Sequence, residues 1–222
     1  MMGKLTFREF WELPYEEKWR YLWKHQRAWP VMAFGALLAA AVFLGAVKTL
    51  GKTTAMAGIT VNLALSEAGS AWLTEDYRSV QGITSPKEAV YLAGIRIELQ
   101  SEAGDARENY YAIRSLTTLC NTQEVDYLIL DQVGFEVMLT RNVYLDLTKV
   151  FSPEELEKLG SRVISMETED SAAPIPVALD ISDCPFIQEN ADAGSAVYFT
   201  FVSGSPRTEQ CTELLNWLMA WS

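Results

Sequence analysis

An uninterrupted apolar run of 19 residues, at residues 29–47, constrains this chain more than any other stretch. It reads WPVMAFGALLAAAVFLGAV and contains no charged side chain. An α-helix of this length extends for roughly 30 Å, about the thickness of the hydrocarbon core of a bilayer. A helix also satisfies its own backbone hydrogen bonds, which lipid cannot do for it. The run therefore predicts one transmembrane helix, with a leader (residues 1–28) before it and the rest of the chain after it.

The distribution of charge predicts the orientation of this span. The leader holds six Lys and Arg and four Glu, whereas the 222-residue chain holds 18 Lys and Arg and 29 Asp and Glu. Four of the basic residues lie close to the start of the span: Lys18, Arg20, Lys24 and Arg27. Basic residues beside a span favour the cytoplasmic side. We therefore expect a cytoplasmic leader, a span in the cell membrane and an acidic extracytoplasmic domain.

A cleaved signal peptide is the main alternative to this topology. Ala55-Met56-Ala57 matches the small-x-small pattern of a cleavage site, with cleavage after Ala57. That site lies well beyond the apolar run, and the run itself exceeds the roughly 7–15 residues typical of a signal peptide. The sequence therefore favours an uncleaved signal-anchor and a single-pass protein.

The leader is rich in aromatic residues and predicts an amphipathic helix at the membrane surface. Pro14 suits the first turn of a helix, and Tyr15, Trp19, Leu22 and Trp23 recur at helical spacing. An apolar face with basic residues beside it is typical of an interfacial helix. The run LTFREFWELPYEEKWRYLWKHQRAWP resembles the start of uncharacterised bacterial single-pass membrane proteins, and this resemblance implies membrane topology only.

The rest of the chain divides into a predicted linker (residues 48–57) and one domain (residues 58–222). The formal net charge of the whole chain is −11, which argues against nucleic acid as a partner because phosphate contacts need clustered Lys and Arg. The three cysteines, Cys120, Cys184 and Cys211, lie in apolar contexts. Buried free thiols are expected, and a Cys184–Cys211 disulfide is the alternative.

Strands alternate with helices along the domain. Apolar runs and alternation predict strands at residues 59–65, 90–99, 125–130, 162–167, 175–181 and 196–202. Cap residues and helical spacing predict helices at residues 72–80, after Asp105, Asp131 and Ser152, and at residues 207–221. Residues 66–70 and 171–174 are predicted loops. This order predicts an α/β sandwich with a mostly parallel sheet.

Two runs of the domain resemble extracellular solute-binding proteins of transport systems. They are VDYLILDQVGFEVMLTRNVYLDLTKVF, with its Leu145-Asp146-Leu147 phrase, and AVYFTFVSGSPRTEQCTELLNWL. Those proteins close two lobes around a ligand, but the stretch between Leu147 and the late strands is too short for a second lobe. The resemblance therefore implies one periplasmic-binding-protein-like lobe, tethered to the membrane, without the closing mechanism.

Ligands of open α/β sheets bind beyond the carboxyl ends of the strands. That rule nominates Ser66 and Glu67 after the first strand, and Asp131 and Gln132 after the central strand, as ligand-binding residues. Residues 180–183 (DISD) form a weaker third candidate. A purely structural alternative holds for Asp131, because an aspartate in this position caps a helix without any ligand.

The domain contains no histidine, since the only one in the chain is His25 of the leader. Ser-His-Asp and Cys-His catalysis and imidazole metal sites are therefore excluded from it. Glu189 and Asp192 could hold Ca²⁺, but the EF-hand spacing is absent. No phosphate-binding glycine motif is present. We expect no catalytic residue, no metal and no cofactor.

These observations leave three hypotheses for function. The first is a non-enzymatic, solute-binding-like outer module that binds a small solute or serves as an accessory to a transporter or envelope complex. The second is a structural or assembly protein that acts through its leader and span. The third, an extracytoplasmic hydrolase, is disfavoured by the missing histidine. The expected partners are the lipid bilayer, a small solute and a membrane transporter or envelope protein.

Overall fold

The computed structural model of the chain describes residues 14–17, 53–85, 87–97, 105–168 and 171–220. The chain separates into two compact units, Met1–Lys52 and Thr53–Ser222. The apolar run 29–47 and most of the leader lie outside the described residues. In the first unit, residues 15–17 form a helical turn after Pro14, in line with the predicted helix start. Among the described residues, no helix combines the length and apolarity needed to cross a membrane.

The second unit is built on a mixed sheet of six strands. Its β-strands are β1 (Thr53–Val61), β2 (Ala64–Leu65), β3 (Glu88–Ile95), β4 (Tyr127–Asp131), β5 (Val163–Thr168), β6 (Ser171–Asp180), β7 (Ala191–Asp192) and β8 (Val197–Phe201). The main sheet has the order β3-β1-β4-β8-β6-β5, and β2 and β7 form a small second sheet.

Four of the six strands in the main sheet run in one direction. β1 pairs in parallel with β3 and β4, while β8 lies antiparallel between β4 and β6, and β5 is antiparallel to β6. The predicted α/β class is confirmed, and the shared direction of β3, β1, β4 and β6 agrees with the predicted parallel character. The antiparallel pairs at β8 and β5 make the sheet mixed.

Helices cover both faces of the sheet. The α-helices are α1 (Glu67–Ala71), α2 (Tyr77–Val80), α3 (Asp105–Asn121), α4 (Gln132–Leu139), α5 (Pro153–Leu159), α6 (Pro185–Asn190) and α7 (Thr208–Ala220). A π-helical turn, Trp72–Asp76, joins α1 to α2, and 3-10 turns lie at Leu147–Lys149 and Gly160–Arg162. α3 and α4 pack on one face, whereas α1, α2, α6 and α7 pack on the other.

Each face of the sheet has its own core, because successive strand side chains point to opposite sides. In β4, Tyr127 and Ile129 belong to one core and Leu128 and Leu130 to the other, and all four are fully buried. Tyr127 needs a glycine beside it: a Cβ at Gly58 would lie 2.0 Å from the Tyr127 Cζ. The result is a three-layer sandwich in which β4 is central.

Several local predictions are confirmed. Ser152 caps α5 with a full capping box, in which Ser152 and Glu155 bond each other's backbone N–H groups. In α7, the predicted apolar face is buried: Cys211, Leu214, Leu215 and Leu218. All three cysteines are buried and free, and the Cys184–Cys211 disulfide is not formed. Burial raises the pKa of Cys120 to about 12.

Other local predictions are wrong. β1 begins at Thr53 rather than in residues 59–65, so residues 53–57 of the predicted linker belong to the sheet, where Met56 is buried. The predicted loop 66–70 holds α1, and the predicted loop 171–174 is the first part of β6, because it pairs with β5. Short polar and small residues conceal both elements. α1 begins at the cap that Ser66 provides, and in β6 pairing with β5 overrides weak local propensity.

Candidate functional site

The chain reverses its direction of winding across the sheet between β1 and β4. From β1 it passes to β3 on one side, and it then returns to β4 on the other side of β1. In open α/β sheets such a switch point leaves a crevice at the carboxyl ends of the two strands. The residues that follow β1 and β4 therefore define the candidate site.

Asn62 and Asp131 close the crevice between these two strand ends. The Asn62 Nδ2 donates to the Asp131 Oδ1 (3.1 Å), and the Ile97 N–H donates to the Asn62 Oδ1 (2.6 Å). Asn62 has a φ of 57°, a left-handed conformation that asparagine tolerates better than most residues. The Asp131 Oδ1 also accepts from the Gly134 N–H (2.7 Å) and caps α4. Asp131 thus caps a helix, which is the structural alternative predicted from the sequence for this residue.

Gln132 is the first residue of α4, and its side chain points along that helix. Its Nε2 donates to the Glu136 Oε1 (3.0 Å). Glu136 in turn lies near Tyr198 of β8, whose pKa is raised by burial and further by the carboxylates of Asp180 and Glu136. The surface around Gln132 is therefore acidic, and it favours a cation or a hydrogen-bond donor over an anion.

Ser66 caps α1 and ties it to α6. Its Oγ accepts from the Gly69 N–H (2.9 Å) and donates to the Asn190 Oδ1 (3.0 Å). α6 also packs closely on α1, because a Cβ at Gly69 would lie 2.7 Å from the Asn190 Cβ. The Ser66 hydroxyl is fully engaged in these contacts. It therefore organises the crevice and is poorly placed to act as a nucleophile.

Glu67 lines a cavity of about 430 Å³ between the first helical segment and the edge of the sheet. We call this cavity groove A; its lining includes Thr60, Leu63, Leu65, Glu67, Ser70 and Leu92. Leucine side chains supply apolar surface, while hydroxyl groups and one exposed carboxylate supply polar contacts. A few polar groups on an apolar wall are typical of a small-molecule site.

The predicted site residues thus separate into two pairs with different partners. Asp131 and Gln132 are held by Asn62 and Glu136, whereas Ser66 is held by Asn190. Of the four, Glu67 lines the open cavity.

The weaker candidate, residues 180–183, forms a closed loop. The Asp180 Oδ1 accepts from the N–H (2.9 Å) and Oγ (2.5 Å) of Ser182, and the Ser182 Oγ accepts from the Val197 N–H (2.9 Å). Asp183 pairs with Arg162, and this pair raises the pKa of the Arg162 guanidinium. These groups fix the start of β8. Within the described residues, no cluster of three or more His, Cys, Asp or Glu is arranged to hold a metal ion.

A buried ionic cluster lies at the amino-terminal end of β4, opposite the strand ends that form the crevice, and the sequence analysis did not identify it. The fully buried Asp126 accepts from the Ala57 N–H (2.7 Å), the Ser205 Oγ (2.6 Å) and the Arg207 Nε (2.7 Å). An aspartate inside the apolar run VDYLIL was a usable signal, because a charge in a buried strand needs a partner. The cluster anchors the Ser205-Pro206-Arg207 turn to β1 and β4.

The chain gives no significant match to any protein-family model, to any curated protein or to any solved structure. Topology and site chemistry are therefore the basis for assigning a role.

Proposed function

We propose that the chain is a single-pass membrane protein whose outer α/β domain is a non-enzymatic, solute-binding-like module, accessory to a transporter or envelope complex. In this proposal residues 1–28 are the cytoplasmic leader, residues 29–47 cross the membrane, and the domain lies outside the cytoplasm. The charge bias around the apolar run supports this topology. The resemblance to one lobe of solute-binding proteins agrees with the α/β class of the fold.

The observation that carries the proposal is the position of groove A. It opens between the carboxyl ends of β1 and β3, next to the switch point, and Glu67 lines it. Its apolar wall, hydroxyl groups and single carboxylate suit a small solute that carries an amine or several hydroxyl groups. The neighbouring carboxylate Asp131 and hydroxyl Ser66 are committed to helix caps, which supports binding rather than catalysis.

A thermal-shift screen of the purified full-length chain tests this proposal. The probes are amino acids, short peptides, sugars, polyamines and divalent metals. A ligand at about 100 times its Kd stabilises the folded state by about 2.7 kcal/mol, which raises the Tm of a chain of this size by roughly 5–10 °C. We expect one class to give a saturable shift that Glu67→Gln reduces and that Glu154→Gln, on the exposed face of α5, does not.

A flat screen from a chain that melts cooperatively would argue against solute binding and favour the structural or assembly role. The topology has a separate test. Alkaline phosphatase fused after the outer domain should be active, and the same enzyme fused to the leader should be inactive. The reverse pattern would reject the proposed orientation.

A further inference from the structure

The strand β3 lies at one edge of the sheet, and a cavity adjoins it on each face of the sheet. Within the described part of the chain, β1 is the strand that pairs with it. Groove A adjoins one face of the strand, where its lining includes Leu92 and Gly94. A second cavity of about 460 Å³, groove B, is lined by Tyr91 and Ala93 together with Leu119 at the end of α3. Among the described residues, no strand pairs with the outer edge of β3.

The backbone of β3 presents alternate residues to this open edge. The Thr53 N–H donates to the Lys87 carbonyl (2.7 Å) and the Asn62 N–H to the Ile95 carbonyl (2.9 Å), so Lys87 and Ile95 face β1. Since the backbone groups of a strand alternate between its two sides, Leu92 and Gly94 face away from β1. In the part of the chain that the structure describes, no strand pairs with these outward groups, and open backbone groups at a sheet edge accept an added strand.

The surroundings of the edge are acidic. A third cavity of about 500 Å³, groove C, lies at the start of β3 and is lined by Glu88 and Glu213. Groove A contains Glu67, and groove B contains Glu124. All four of these glutamates are exposed.

Basic residues near the edge do not reverse this balance. Arg207 in groove B is bonded to the buried Asp126, while Lys87 and Arg96 flank the two ends of β3. The three grooves therefore match a positively charged occupant, in keeping with the chain's net charge of −11.

We propose that β3 binds an extended segment of a partner protein in which basic and apolar side chains alternate. The segment adds a strand to the sheet, and its backbone pairs with Leu92 and Gly94. Because its side chains alternate between the two faces of the sheet, its apolar groups all enter groove B, while its basic groups all meet Glu67, Glu88 and Glu213 on the face of grooves A and C. This inference rests on the proposed recognition role of the domain and names the kind of partner involved.

Fluorescence anisotropy with the full-length chain tests this pairing. The probe is a labelled octapeptide, (Lys-Val)4, and the controls are (Glu-Val)4, with reversed charge, and (Lys-Pro)4, with the same charge but no ability to form a strand. We expect saturable binding of (Lys-Val)4 alone, weakened by added salt. Equal binding of (Lys-Pro)4 would overturn strand addition, and equal binding of (Glu-Val)4 would overturn the charge argument.

A pair of variants isolates the backbone contact. Gly94→Pro removes the outward N–H, whereas Gly94→Ala keeps it and adds only a Cβ. We expect the Kd of Gly94→Pro to exceed that of Gly94→Ala by about tenfold, the worth of a good hydrogen bond. Equal values would overturn the assignment of the edge. If Gly94→Pro fails to fold, as judged by circular dichroism, the comparison of the three peptides on the unaltered protein still tests whether a strand is added at β3.

The charge contribution has its own matched variants. Glu88→Gln with Glu213→Gln should weaken (Lys-Val)4 binding about fivefold, while Glu154→Gln with Glu157→Gln, on exposed α5, should leave it unchanged. A similar loss in both double variants would reject the grooves as the source of attraction. A chain that binds no peptide but still shifts its Tm with a small solute would overturn this inference and leave the proposed function standing.

Discussion

The buried carboxylate of Asp126 is the most sensitive single group in the domain. It is completely buried and accepts three hydrogen bonds, one of them from the guanidinium of Arg207 at 2.7 Å. The Arg207 side chain is 21% exposed, so one end of the pair reaches solvent. Replacing Asp126 by Ala removes all three acceptors at once, and it leaves the Ala57 N–H and the Ser205 hydroxyl without their acceptor.

The size of the expected loss follows from these contacts. At 2.7 Å the gross attraction of the pair is about 6 kcal/mol for an effective dielectric constant of about 20, and desolvation offsets most of it. Breaking a buried pair by removing one partner typically costs about 3–5 kcal/mol. Because Arg207 can rehydrate, we take the lower end, about 3 kcal/mol, which corresponds to a Tm lowered by roughly 6–12 °C.

Urea unfolding of the full-length chain, followed by tryptophan fluorescence, measures this loss. The matched control is Asp183→Ala, which breaks an ion pair with Arg162 in which the Asp183 side chain is 71% exposed. That control should cost less than about 1 kcal/mol. Equal losses in the two variants would refute the reasoning, because they would mean that burial adds nothing to the worth of the Asp126 contacts.

Three further changes have defined outcomes. Gly58→Ala should cost about 1–3 kcal/mol, since its Cβ would overlap a buried ring, whereas Gly194→Ala, with open space around it, should be neutral in the same urea assay. The pKa of Cys120 is raised from 9.0 to about 12, so the free energy of unfolding should fall as the pH rises from 9 towards 12, and Cys120→Ala should reduce that slope in pH-dependent urea unfolding. Ser152→Ala should lower the Tm at neutral pH. The hydrogen bonds with Ser152 lower the pKa of Glu155 from 4.5, so their stabilisation is lost as the pH falls below 4.5 through the lowered pKa, and the difference in Tm from the unaltered chain should shrink over that range.

Features set by neighbouring residues were predictable from the sequence. Asp131 after an apolar run, and Ser152 before Pro153, each place a cap at the correct residue. The spacing of apolar residues in α7 also identified its buried face. These signals work because a cap or a helix face depends on residues within one or two turns.

Features set by distant pairing were not predictable in the same way. Residues 53–57 read as a linker, and only their pairing with β3 makes them a strand. The direction of β8 depends on its two neighbours, β4 and β6. At the site, the sequence nominated Glu67 as a ligand-binding residue and the structure places it in the lining of groove A, but nothing in the sequence indicated that Asn62 would donate a hydrogen bond to Asp131.

The position of β8 has a consequence for the time at which the domain can form. β8 is the last strand in chain order, yet it fills the gap between β4 and β6. A ribosome that has completed only residues up to 190 has made the strands of two half-sheets, β3-β1-β4 and β6-β5, each with an edge that still lacks its partner β8. The sheet therefore cannot be completed until β8 has been synthesised. The pairing of β8 with β4 joins residues far apart in the chain, which makes this step of folding slow. In the proposed topology, a domain exported during synthesis would cross the membrane before this closing strand arrives, in a form still loose enough to be threaded.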